Sequence, residues 1–268
     1  MSSEVDILRL EKQNEQKNYN LRDELSFFHF EKNDLVLDAG CGSGLVTRAL
    51  ANEFREKQLR FEACDYSDIA VLNAEKYFRL DGVKARTFTS SIDDLKIKNN
   101  RYDKVICRYV LEHMKNPYDA AMEFFRVLKP GGSAYIIDLD GIVFNIHTEN
   151  KVLNEFLSQL KMNFKFDLFV GRKIPSLLTK AGFIDISWDA KTMCFNTETE
   201  RKMELANYES RFDLAKKIIT DILGTQKKYE IFKTLYLEEL AKNENVLFYT
   251  KFCVKGIASK NILIKSQN

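Results

Sequence analysis

Short apolar runs alternate along the chain with longer stretches in which apolar residues recur every three or four positions. The runs at 35–38, 61–65, 84–88, 104–107, 134–138 and 183–188 read as strands. Helical patterns separate them at 45–54, 69–78, 117–128 and 174–181. Apolar strands bounded by helices form βαβ units, so the pattern predicts an α/β fold with a mostly parallel sheet covered on both faces.

The two ends depart from this alternation. The first thirty residues read as helix, with Val5, Leu8, Leu21, Leu25 and Phe28 at helical spacing. After Trp188, Leu205, Tyr208, Phe212, Ala215, Ile219 and Ile222 mark a long helix that stops at Gly224. Tyr229, Phe232, Tyr236 and Leu240 continue as a second helix, and a β-rich run at 246–257 follows. That run makes a seventh strand.

Composition narrows the class. The chain has 268 residues, 45% of them apolar, which fills a core and excludes intrinsic disorder. Its 41 Lys+Arg against 39 Asp+Glu leave a charge of +2, which argues against a nucleic-acid coat or a polybasic membrane binder. No apolar stretch approaches the roughly 18 residues of a spanning helix, and the polar start is no signal peptide. The five cysteines, Cys41, Cys64, Cys107, Cys194 and Cys253, contain no CxxC pair. Buried reduced thiols in a cytoplasmic protein are the expectation, with neither zinc nor disulfides.

The chemistry concentrates in LVLDAGCGSGLVT, residues 35–47. A strand enters, Gly40, Gly42 and Gly44 turn the chain, and a helix leaves with free N–H groups at its start. A dinucleotide fingerprint beginning at Gly40 requires a third glycine where this chain has Leu45. Alone, the turn reads equally as a structural βα connection. Asp65 ends the next strand, where a carboxylate accepts both hydroxyls of a ribose or caps the following helix. Tyr66 beside it can lie against a base or simply pack.

LDAGCGSG, the acid of CDYSD, YDKVICRYVLEHM and RVLKPGGSAYIID together resemble the class I S-adenosylmethionine-dependent methyltransferases. The likeness runs from about residue 34 to 188, nearest the small-molecule group of ubiquinone and menaquinone biosynthesis. It implies a Rossmann-like seven-stranded sheet binding S-adenosyl-L-methionine and releasing S-adenosyl-L-homocysteine. By the same resemblance Asp38, Ala39, Gly40, Cys41, Gly42 and Gly44 hold the methionine end, and Asp65 the ribose. Ser91 and Ile92 fall where the family meets adenine, although the family often has Asp at the position of Ser91. Cys107 and Arg108 end the strand whose backbone touches the cofactor's amino group, and Arg9 or Gln13 of the first helix would fold over it.

The resemblance also implies a division of the chain. Residues 1–30 form an N-terminal helical cover, 31–190 with 246–260 the cofactor core, and 191–245 a helical insertion before the last strand. The aromatics of the insertion leave three readings open: a substrate lid, ordinary core or a homodimer face. For an acceptor that needs a general base, the candidates are His113, His147 and Tyr109, with Asp138 and Asp140 nearby. Arg108 anchors an acidic substrate group or pairs with Glu112 or Asp138. Cys107 stands where metal-dependent relatives carry Asp, so no metal is expected. The activity expected is methyl transfer to O, N or C of a small molecule. RNA or protein methylation, and cofactor binding without transfer, are the alternatives.

Overall fold

The computed structural model describes residues 19 and 21–260. Its strands are β1 (Leu35–Ala39), β2 (Arg60–Asp65), β3 (Ala85–Thr89), β4 (Tyr102–Arg108), β5 (Leu128–Asp140), β6 (Phe183–Cys194) and β7 (Phe248–Ala258). They form one sheet in the order β3-β2-β1-β4-β5-β7-β6, with β7 antiparallel to both of its neighbours. The helices are α1 (Arg22–Leu25), α2 (Leu45–Glu53), α3 (Asp68–Asp81), α4 (Pro117–Val127), α5 (Lys151–Asn163), α6 (Ile174–Lys180), α7 (Glu198–Leu223) and α8 (Gln226–Ala241). The seven-stranded, mostly parallel Rossmann-like sheet expected from the sequence is the sheet observed.

The differences lie at element ends. β6 continues past Trp188 to Cys194 because β7 supplies partners along its whole length, from Phe183↔Ala258 to Cys194↔Phe248. Cys194 therefore ends an edge strand and is exposed, against expectation, while Cys41, Cys64, Cys107 and Cys253 are buried free thiols. The expected N-terminal helix is helical only over Arg22–Leu25 among the described residues. Beyond it the chain straightens, so that Phe28 packs edge-on against Tyr135 and Phe30 against Phe54. Arg9 and Gln13 lie outside the described residues.

Three large apolar clusters and a small one of Cys41, Ala63, Ala74 and Phe78 hold the described residues together. One lies between the sheet and helices α4 and α6, with Val105, Phe124, Ile136 and Leu178 fully buried. A second covers the opposite face, where Phe28, Phe30, Val46 and Leu50 meet Val36 and Tyr135. The third is aromatic and sits beneath α7 and α8. Tyr208, Phe212, Tyr229, Phe232 and Tyr236 pack there with Phe156 of α5 and with Phe195 and Tyr249. No helix of the described residues is long and apolar enough to cross a membrane.

Charge is buried among these clusters as well. Glu24 of α1 accepts from Arg108 at 2.7 Å and from Lys251 of β7 at 2.7 Å, and its carboxylate is wholly removed from solvent. Arg108 also donates to the Tyr19 carbonyl at 2.7 Å. A neighbouring set centres on Glu204 of α7, which accepts from Tyr19 Oη, Tyr249 Oη and Arg211. Removing one partner of a buried pair strands the others in a poor solvent. Glu24→Gln leaves Arg108 and Lys251 without a counter-ion and should cost about 3–5 kcal/mol, read from urea unfolding.

Candidate active site

The strand order turns at β1, with β2 and β3 on one side and β4 and β5 on the other. Connections leave in opposite directions at such a point and open a crevice at the carboxyl ends of the strands, where sheets of this kind take ligands. β1 ends in Asp38 and Ala39, and the glycine turn carries the chain into α2. Gly40, Gly42 and Gly44 all have positive φ, at 78°, 53° and 77°. A side chain at Gly40 would overlap Val110, and one at Gly44 the Phe78 ring, whereas one at Gly42 would enter open space.

Asp65 closes β2 and braces this turn. Its Oδ2 accepts from the Gly42 N–H at 3.0 Å and its Oδ1 from the Ser67 N–H at 3.0 Å. The cap of α3 is Ser67, whose side chain accepts from the Ala70 N–H, so Asp65 is not the helix cap. Burial raises its carboxyl above the usual range. Tyr66 beside it is 61% exposed. Further along, Ile92 is buried, and the exposed Ser91 hydroxyl donates to Asp93.

Asp38 lies at the floor of the turn. Its Oδ2 accepts the Thr47 N–H at 3.2 Å and the Thr47 hydroxyl at 2.8 Å. Burial outweighs these bonds and, with the charge of Asp65, pushes the carboxyl up to about 6. Burial likewise holds the Cys41 and Cys107 thiols well above their ordinary value, so both stay protonated.

At the end of β4 the side chains part. Arg108 turns to Glu24 rather than to Glu112 or Asp138, the two partners expected from the sequence. Its guanidinium lies 4.2 Å over the centre of the Tyr109 ring. Tyr109 has φ 59°, and its N–H donates to the Ile137 carbonyl at 2.8 Å. Burial drives its phenol well above the usual value. A 3-10 turn over Leu111–His113 follows. Asp138 accepts the Leu111 N–H at 2.9 Å, and burial, then the charge of Glu112, raises its carboxyl strongly. His113 is 61% exposed, 3.5 Å from Glu112, with its ring against Phe166. His147 is also exposed, and Asp140 pairs with Arg172.

The loop after β5 is held from above. Val143 has φ 72°, a strained conformation for a β-branched residue. Tyr208 of α7 accepts the Val143 N–H at 3.3 Å, and Tyr236 of α8 donates to the Val143 carbonyl at 2.7 Å. The two helices before β7 thus grip the loop that borders the crevice. Sequence reasoning did not single out Tyr19, Glu24, Glu204, Arg211 or Lys251. A trace existed: Glu24 shares a helical face with Leu21, Leu25 and Phe28, and Glu204 stands one turn before Tyr208.

Residues 36–132 match the methyltransferase-domain family, and the seven-stranded sheet with its glycine turn is a fold shared with solved methyltransferases. The chain is 35% identical over 101 residues to the ubiquinone biosynthesis O-methyltransferase of Rickettsia canadensis, a match covering 38% of this chain and 41% of that protein. It thus spans about two fifths of the length of the first curated relatives. An uncharacterised methyltransferase of Schizosaccharomyces pombe is 28% identical over 65% of this chain and 66% of its own. Haemonchus contortus phosphoethanolamine N-methyltransferase 2, solved with S-adenosyl-L-methionine, shares the fold with TM-score 0.61 and 20% identity, over 96% of this chain and 58% of that one. The Bacillus subtilis YcgJ protein does so with TM-score 0.59 and 16% identity, over 90% and 98%.

The glycine turn makes a graded prediction. Gly44→Ala meets both the positive φ and the Phe78 ring and should destabilise by about 2–4 kcal/mol. Gly42→Ala carries the backbone cost alone, about 1–2 kcal/mol. Paired urea denaturation curves measure the difference.

Proposed function

We propose that this chain transfers the methyl group of S-adenosylmethionine to a small-molecule acceptor bound between the end of β4 and the helices α7 and α8. The observation that carries the reading is the buried Asp65 carboxylate, locked to the Gly42 amide at the mouth of a glycine turn. The residues present suit that cofactor. Asp65 offers acceptor oxygens to a ribose diol and Tyr66 an exposed ring to a purine. Above Gly42 there is room for a chain to pass close to the backbone. Asp38 supplies an anion for an amino-acid ammonium.

The bound sulfonium provides an already electrophilic methyl, so the protein's part is alignment and exclusion of water. Asp38, Asp65 and the turn place one reactant. Tyr109, the Val143 loop and the aromatics beneath α7 and α8 border the place of the other. The burial of those aromatics within the chain argues against a dimer face. Segment 191–245 is then a lid over the crevice, while most of the expected cover at 1–30 lies outside the described residues. Burial and the neighbouring Glu112 carboxylate raise the Asp138 carboxyl, and His113 stands 3.5 Å from Glu112 on the outer side. Four buried free thiols support a reducing, cytoplasmic setting.

Two measurements test the cofactor assignment. Asp65→Ala should weaken S-adenosylhomocysteine by about 10- to 100-fold in calorimetry while the circular dichroism spectrum is kept, and unchanged affinity would remove the ribose role. Asp38 sets a pH dependence. Its folded value is raised, so its stabilising contribution is complete below 3.8 and lost as pH rises through about 6. Ligand binding needs the anion and runs the other way. Affinity for S-adenosylhomocysteine should fall about tenfold per pH unit below that midpoint and level off above it. Asp38→Asn should flatten the profile.

A further inference from the structure

We infer that the Tyr109 hydroxyl is an acceptor-binding group: a hydrogen-bond donor that selects acceptors presenting an oxygen beside the methylated atom. The inference rests on the methyltransferase reading and deepens it.

Three independent features meet at this one residue. Its hydroxyl is buried and has no hydrogen-bond partner among the described residues. Native structures seldom leave a buried donor unmatched unless something outside the chain completes it. Its backbone is held at φ 59°, in a region that side-chain-bearing residues rarely occupy and that concentrates at functional sites. And it stands at the carboxyl end of β4, one residue before Val110, which seats on the Gly40 turn.

The surroundings say which side of the crevice it serves. The ring packs against the aromatic cluster under α7 and α8 as well as against the cluster beneath the sheet. The Arg108 guanidinium sits 4.2 Å from the ring centre and is itself held by Glu24, so the ring is braced on that side. The phenol keeps its proton because burial pushes it well above the ordinary range. It therefore donates, and does not act as the base. A donor in an aromatic setting recognises a hydroxyl, carbonyl or carboxylate oxygen, while an amine without such an oxygen gains nothing from it.

Tyr109→Phe tests this. A hydroxyl without a partner stabilises nothing, so the melting temperature of the free protein should stay or rise. A fall of more than about 4 °C would make the hydroxyl structural and overturn the inference. The S-adenosylhomocysteine complex is then titrated by ligand-observed NMR with phenol, benzyl alcohol, benzoate, benzylamine and toluene. The oxygen-bearing probes should bind the wild-type complex and lose about tenfold in the variant, with benzylamine and toluene unchanged. Equal binding to both proteins, or no binding by any oxygen-bearing probe, overturns it. So does a variant that loses S-adenosylhomocysteine affinity but keeps that for methylthioadenosine, because the hydroxyl would then serve the cofactor's carboxylate. Failure of the wild-type protein to bind S-adenosylhomocysteine would instead sink the methyltransferase reading itself.

Discussion

The carboxylate of Glu24, wholly removed from water between Arg108 and Lys251, is the interaction on which the arrangement of the site depends. It joins a four-residue helix to the ends of two strands that are not neighbours, β4 and β7. Burying three charges is expensive, and an apolar trio of equal volume could match it in stability. What the charges add is direction. Arg108 turns toward Glu24 and the Tyr19 carbonyl, and its guanidinium there sits over the Tyr109 ring. Tyr19 in turn reaches Glu204 and Arg211 of α7. One chain of paired groups therefore runs from Tyr19 and Glu24, past the end of β4, into α7.

The two sides of the crevice are built on different principles. The glycine side is set locally: positive φ at three glycines, an aspartate at the end of each of two strands, and backbone amides that accept no substitute. The other side is held from a distance. Tyr109 and Val143 both carry φ values that their own side chains disfavour, and each is kept there by partners remote in sequence. Strain of about 1–3 kcal/mol per residue persists only where packing over-determines it. The aromatic cluster of α5, α7 and α8 supplies that packing.

This contrast explains what could be read in advance. The strands of the sheet and the helices α2, α3, α4 and α6 were legible, because parallel strands buried on both faces read as apolar runs and turns need glycine. The glycine turn and the aspartate closing β2 were legible as local features, while the part of Asp38 came only with the family resemblance. The partner of Arg108 was not. Glu112 and Asp138 were nearer in sequence and equally acidic, yet Glu24 is the one the fold delivers. The length of β6 and the exposure of Cys194 were also hidden, because they depend on how far β7 continues as a partner. Likewise the aromatic spacing of 205–240 announced burial without saying against what.

By itself the sequence determined the layered sheet, its order of strands and helices, and the residues of the glycine turn, all products of periodicity and local backbone preference. Only the tertiary structure decided which carboxylate meets Arg108, that His113 and His147 lie exposed while Tyr109 is enclosed, and that two tyrosines of a late helical pair hold the loop after β5. These are contacts between residues far apart in the chain. Their energies come from exclusion of water and from the geometry of paired charges, and no local pattern encodes either.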